Sequence, residues 1–479
     1  MDLSQRTVEE VVHPTAAFLR ASDEARLYSK DAQQPSWGDS ILNPKNRIDS
    51  LDLPDRPLWR IDGCTGLGTQ YYAVPINVRV GANHNLELQL LPLKKLNALW
   101  GATLEPLQIV DFFDVHVVSV LHDSVCLVRI HGQLFIFKAL VGGIKYLYHE
   151  LKTLCSVEPH ANIISRPIHL ISKACSFGGK HAIVGFTTFY HRHGSVRDIL
   201  PQLRIRDRLQ RESQIKWCIQ VTQALEHLRT RSSIYYPDLR LDNIVMSENF
   251  DIVMVDFEQR GVWCEFAAPE VNAIEYMRLV AVDDRMPSEV TSKYLEIMRG
   301  LVPDYDRLQD DQYTNPEDGY NASWIALSPE EQELAEVYML GRLMWCIFEG
   351  VSGPQKAAVW QSYRWESNLE FPEYDRTPPA MRELIDRCTR GTRPNLGSVI
   401  VRRQSQLLLR HRLEEDHDAN EVQAAAMNHW VAELKWAEEF LSERTRLREQ
   451  GLWNHNYYNR PRLQEVLEAL LKIQAQYTK

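Results

Sequence analysis

The sequence predicts an α+β fold in which a small β-rich part precedes a larger helical part. Three observations predict it. FDVHVVSVL (113–121), SVCLVRIHG (124–132) and QLFIFKALV (133–141) are short apolar runs parted by turn residues, the pattern of an antiparallel meander. In IKWCIQVTQALEHL, residues Ile215, Cys218, Ile219, Thr222, Leu225 and Leu228 fall on one helical face, as a buried helix requires. Between that helix and the strand-like DIVMVDFE lies a polar loop, YYPDLRLDNIVM (235–246).

The composition suits a globular chain. Of 479 residues, 44% are hydrophobic and 25% charged, so core-forming residues are plentiful and global disorder is not expected. The net charge of −10, with no long basic run, argues against nucleic acid or an anionic membrane as partner, since phosphate binding needs a positive surface. Eight scattered cysteines include no CxxC pair, which points to buried thiols in a reducing compartment rather than zinc or dithiol chemistry. The start has no basic segment followed by an apolar one, and no apolar run reaches membrane-spanning length; a cytoplasmic or nuclear location is expected.

Residues 1–105 say least about their role. A helix is expected over 7–27, a long loop over 30–62, and strands at YYAVPINVRV (71–80) and LELQLLPL (86–93). GCTGLG (63–68) lacks the helical pattern and Lys-Ser/Thr of a phosphate loop and reads as a turn. After the meander, YLYHELKTLCSV places Tyr146, Glu150, Leu151 and Leu154 at helical spacing. HAIVGFTTFYH (181–191) is a strand, GSVRDIL (194–200) opens a helix, and EVYMLGRLMWCIFEG (336–350) and NRPRLQEVLEALLKI (459–473) are helical. In VQAAAMNHWVAELKWAEEFL (422–441), the stripe Met427, Trp430, Val431, Leu434 and Leu441 is expected to pack into a core.

Several polar residues fall in an order that suits one chemistry. Lys138 ends a strand, Glu150 follows in the next helix, Asp238 opens the polar loop, Asn243 lies five residues on, and Asp256 ends the next strand. Phosphoryl transfer from ATP needs a cation on the α/β-phosphates, a carboxylate to orient it, a base for the acceptor hydroxyl, and an amide and a carboxylate on Mg²⁺. YPDLRLDN resembles the catalytic loop H-R-D-L-x-x-x-N, VDFE resembles D-F-G, FIFK resembles the V-A-I-K strand and AAPE (267–270) resembles A-P-E. Over about residues 110–479 the chain thus resembles the protein-kinase superfamily, as a divergent member.

That resemblance implies a bilobal protein kinase-like fold over 106–479, with an N-lobe over about 106–190 and a C-lobe over about 191–479 interrupted by insertions at about 272–328 and 400–455. It implies ATP and Mg²⁺ as cofactors. Asp238 is then the base and Arg240 stabilises charge on the transferred phosphoryl group. Lys138 and Glu150 form the phosphate clamp, and Asn243 and Asp256 are the metal ligands. Adenine pairs with backbone near Phe189 to His191. Arg460 pairs with Glu270, with Arg393 as a rival, and Glu336 stands where the family usually has Asp.

The chain also departs from the family. No G-x-G-x-x-G precedes Lys138; the corresponding turn is LHDSVCLV (121–128), where Asp123 repels phosphate. Glu258 replaces the glycine of D-F-G, either adding a carboxylate to the metal site or facing solvent, the latter expected. Tyr236-Pro237 replaces His-Arg, and QRGVWCEFA (259–267) is short and lacks Ser, Thr and Tyr, so switching by phosphorylation of that segment is not expected. The acidic insertion at 272–328 either shapes substrate access or stays solvated, the latter expected. Three functions compete: transfer of the γ-phosphate of ATP to a protein hydroxyl, with Ser/Thr versus Tyr left open; a pseudokinase scaffold; and a small-molecule kinase of the aminoglycoside/choline type.

Overall fold

The computed structural model describes residues 84–477, apart from 102–106, 123, 141, 284–285, 355–368, 404–405 and 413–418. The expectations for 7–27, 30–62, 63–68 and 71–80, and for Asp123, fall outside the described residues. The chain divides into two compact units, the first running to Leu147 and resuming over Pro167–Tyr190, the second comprising Tyr148–Arg166 and the chain from His191 onward. The first is smaller and β-rich and the second is larger and mainly helical, a coarse α+β architecture.

In the first unit, helices α1 (His84–Gln89) and α2 (Leu93–Trp100) precede six strands: β1 (Gln108–Asp111), β2 (His116–His122), β3 (Val125–Ile130), β4 (Gln133–Lys138), β5 (His169–Ala174) and β6 (His181–Phe189). They form one sheet in the order β1-β5-β6-β4-β3-β2. β2, β3 and β4 make the antiparallel meander, and β1 runs parallel to β5. Val128, Ile130, Phe135, Phe137 and Ile171 bury their side chains together. Lys138 pairs in register with Val125 and Phe186. Beside it only glycine fits at position 185, where a Cβ would lie 2.3 Å from the Lys138 carbonyl oxygen and 2.5 Å from the Phe137 ring.

One strand expectation is corrected here. LELQLLPL forms α1 and the start of α2 rather than a strand. Alternation would bury the leucines and expose Glu87. Instead Glu87 is 3% exposed and Leu88 61% exposed, because the Glu87 carboxylate accepts the backbone N–H groups of Ser176 and Phe177 at 3.0 and 2.9 Å. A tertiary hydrogen bond overrides the local pattern.

The helix carrying Glu150, α3 (Ile144–Ser156), crosses from the first unit into the second. The second unit continues with α4 (Val196–Ile205), α5 (Arg211–Arg231), the antiparallel pair β7 (Ile244–Met246) and β8 (Ile252–Met254), α6 (Pro269–Ala281), α7 (Ser288–Leu301), α8 (Tyr305–Gln309), α9 (Ala322–Ile325), α10 (Pro329–Glu349), α11 (Pro379–Cys388), the pair β9 (Ile400–Arg403) and β10 (Gln406–Leu409), α12 (Ala419–Glu449) and α13 (Leu463–Tyr477). α5 buries Ile215, Cys218, Ile219, Thr222, Leu225 and Leu228, packing against α13 and α10. α10 starts in a capping box, with Ser328 and Glu331 satisfying each other's backbone N–H groups, and is buried without a break from Leu334 to its end. Among the described residues, no helix is long and apolar enough to cross a membrane.

One further expectation is overturned in this unit and another holds only in part. The segment 272–328 is folded: Met298, Val302, Tyr305 and Trp324 are each 1% exposed or less. Its acidic residues mask apolar ones, among them Tyr294, Met298 and Val302, that recur at helical spacing. In α12 the expected stripe is buried only in part: Leu441 is buried and Leu434 half-buried, but Met427, Trp430 and Val431 are 59, 44 and 58% exposed while Glu433, Ala437 and Arg444 are buried. The helix is turned by its charges. Glu433 takes two hydrogen bonds from Arg393, at 2.7 and 3.1 Å, and Arg444 gives two to Glu331, at 2.7 and 2.9 Å. Burying those side chains unpaired would cost more than exposing three apolar ones.

Candidate functional site

The polar loop is anchored before it reaches its acidic residue. Tyr235, Tyr236 and Pro237 are buried. The Tyr236 N–H donates to Glu336 Oε1 at 2.7 Å, and its hydroxyl donates to the Val255 carbonyl. Glu336 is fully buried on α10 and accepts Arg229 at 3.1 Å. Burial pushes the Glu336 carboxyl up to about 7, against the pull of Arg229.

Asp238 follows, just ahead of a 3₁₀ turn over Leu241–Asn243. Asn243 Nδ2 donates to Asp238 Oδ2 at 2.8 Å and to the Asp238 carbonyl at 3.0 Å. Arg240 Nε reaches the same Oδ2 at 3.2 Å. Both donors converge on one oxygen, so among the described residues Oδ1 carries no hydrogen bond. The side chain keeps 26% of its surface. Surrounding protein pushes its carboxyl up to about 6, opposed by Arg240 and reinforced by the nearby charge of Asp256. Arg240 also reaches Asp242 at 3.4 Å and lies 4.6 Å over the Trp263 ring. Asp242 is held by Arg197 at 3.0 Å.

β8 brings Asp256 to the same loop, since the Val255 N–H donates to the Asn243 carbonyl at 2.9 Å. Asp256 adopts a left-handed backbone, φ 65°, a conformation that Asp tolerates better than most residues. Phe257 is fully buried, its ring 5.1 Å from that of Tyr236, and its N–H donates to Glu150 Oε1 on α3 at 2.9 Å. Glu150, Asp256 and Glu258 then offer one carboxylate oxygen each within 4.8 Å of one another, the first buried and the others half-buried. An all-oxygen set of this kind can hold a hard divalent cation. The expectation that Glu258 faces solvent is therefore corrected: the carboxylate lies with Glu150 and Asp256.

The remaining sequence candidates are placed as follows. Lys138 ends β4 of the first unit, 8% exposed. Phe189 ends β6, 55% exposed. His191 is the first residue of the second unit after that strand, and burial lowers its pKa. Arg460 meets Glu270 at 2.5 and 3.0 Å, while the rival Arg393 is taken by Glu433. Sequence reasoning assigned no role to His149, Gln259 and Trp263; their only signals were the adjacency of His149 to Glu150, that of Gln259 to the D-F-E run, and the place of Trp263 within the short segment 259–267. Compared with known proteins, the chain matches no family model and no curated relative.

Proposed function

We propose that this chain is a protein kinase-like phosphotransferase that moves the γ-phosphate of ATP to a protein hydroxyl. The observation that supports it most is Asp238: Arg240 and Asn243 fix one oxygen while the other stays open, in surroundings whose burial pushes the carboxyl up to about 6. A base poised just below neutral pH is ionised at pH 7 yet takes up a proton readily. Asp238 Oδ1 accepts the proton of the acceptor hydroxyl as that oxygen bonds to the γ-phosphorus. The bond from phosphorus to the β–γ bridging oxygen breaks, and ADP leaves.

Lys138 is assigned to the α/β-phosphates and Glu150 to orienting it. Asp256 and Asn243 are assigned to Mg²⁺, with Glu258 as an added carboxylate. Held by these residues, Mg²⁺ would supply positive charge to offset that of the phosphates during transfer. Arg240, already paired and stacked on Trp263, is assigned to the charge of the transferring group. Backbone between Phe189 and His191 is assigned to adenine.

One observation favours a second reading, a small-molecule acceptor. The stretch 259–267 is short, and Trp263 is drawn onto Arg240 rather than offering a surface for a peptide. Incubating labelled ATP·Mg²⁺ with cell proteins and metabolites, against Asp238→Asn, separates the readings. Labelled polypeptides that vanish in the variant support the first and labelled metabolites alone the second. No transfer by the folded protein would leave a scaffold role.

A further inference from the structure

We infer that residues 313–324 brace the segments that carry the site, with Gln259 as the positioning residue that ties them together, a role whose catalytic consequence rests on the phosphotransfer reading above. Three segments have to hold still: α3 with Glu150, the loop entering Asp238, and the chain leaving Asp256. Gln259 bonds two of them to the third. Its Nε2 donates to the Tyr235 carbonyl at 2.7 Å, so its Oε1 faces His149 and accepts from His149 Nε2 at 2.8 Å. Tyr235 lies three residues before Asp238, and His149 is adjacent to Glu150. Gln259 is 7% exposed and sits in a left-handed conformation, φ 51°, so the surrounding packing must hold it there.

The segment 313–324 covers this hub. A Cβ at Gly319 would lie 2.8 Å from His149 Nε2 and 3.1 Å from Gln259 Oε1, and its φ is 78°, so glycine is needed on both counts. The Tyr235 hydroxyl donates to the Asp318 carbonyl at 2.9 Å. Tyr320 packs edge-on against His149 at 5.8 Å, and Trp324 stacks flat on Tyr235 at 5.6 Å. Asn321 Nδ2 reaches the Gly261 carbonyl at 3.0 Å. The segment therefore grips α3, the loop and the post-Asp256 chain at once. With no hydroxyl residue in 259–267 to modify, this brace supplies the order from within the chain.

Hydrogen exchange on the full chain, wild type against Gln259→Met, tests it; Met keeps the length and drops both hydrogen bonds. We expect amides of 148–156, of the loop over 235–243 and of 256–261 to exchange about tenfold faster through local opening, while those of α10 and α13 are unchanged. Mn²⁺, used alone as probe, should bind about tenfold more weakly through loss of an outer support, and kcat should fall with KM for ATP nearly constant. Unchanged exchange at 148–156 together with unchanged Mn²⁺ affinity would overturn the inference. If Gln259→Met fails to fold, Tyr235→Phe decides, since it removes only the bond to Asp318. Faster exchange over 148–156 and 313–324 supports the brace, and wild-type exchange in both refutes it. A wild-type chain that transfers no phosphate but shows the exchange response would defeat the phosphotransfer reading and leave the brace standing. An active chain whose variants exchange like wild type would defeat the brace alone.

Discussion

The segment 272–328 and helix α12 depart from their sequence patterns in opposite directions. The first is acidic and rich in turn residues, yet Trp324 and Met298 are fully buried. The second carries an apolar stripe, yet Met427 and Val431 stand in the open while Arg444 is 1% exposed. Polarity averaged over a stretch does not decide burial. What decides it is whether each polar group finds a partner, and in α12 the partners of Glu433 and Arg444 lie on elements far away in sequence.

The largest effect that would sharpen this contrast comes from Trp324→Ala. Removing a fully buried indole stacked on Tyr235 should cost about 3–5 kcal/mol, read as a shift in the urea midpoint. A loss no larger than a surface substitution would restore the solvated reading of the segment.

Next is Arg444→Met. Burial alone would raise the Glu331 carboxyl, but the hydrogen bonds and charge of Arg444, the Ser328 N–H and Arg448 hold it down to about 2 from 4.5. A depressed carboxylate adds stability that is fully present above pH 4.5 and is lost as pH falls through about 2. The variant should lose about 3 kcal/mol at pH 7, because a buried partner is left behind. It should also show a weaker pH dependence of the melting temperature in that acid window. An unaltered acid slope would mean that Arg444 does not set the Glu331 titration.

The smallest effect is expected at Val431→Lys, within about 0.5 kcal/mol by chemical denaturation. A large loss there would return the stripe to the core and break the comparison from the other side.

Much of the site was legible because its order is local. Within the second unit, Asp238 and Asn243 five apart across one 3₁₀ turn and Asp256 after β8 follow from short runs whose backbone is set by their own residues, as does the place of Lys138 at a strand end in the first unit. The Arg460–Glu270 pair, 190 residues apart, was read only through the resemblance. The rest was not legible because it depends on approach between distant segments. Nothing in the sequence places Gly319 over His149, turns Glu258 toward Glu150, or takes Glu87 out of an apparent strand to cap two amides. The approach of Gly319 to His149 and the bonds of Glu87 are a close contact and long-range hydrogen bonds that leave no periodic trace.

The most direct measurement of the central claim is the single-turnover rate of phosphate transfer across pH 4.5–8 with saturating ATP·Mg²⁺. If Asp238 is the base, the rate should rise about tenfold per pH unit at the acid end and level off above about 6, where its carboxyl is ionised; Asp238→Asn should abolish that step with the fold intact. A rate that is flat through pH 6, or that survives in Asp238→Asn, would contradict the assignment.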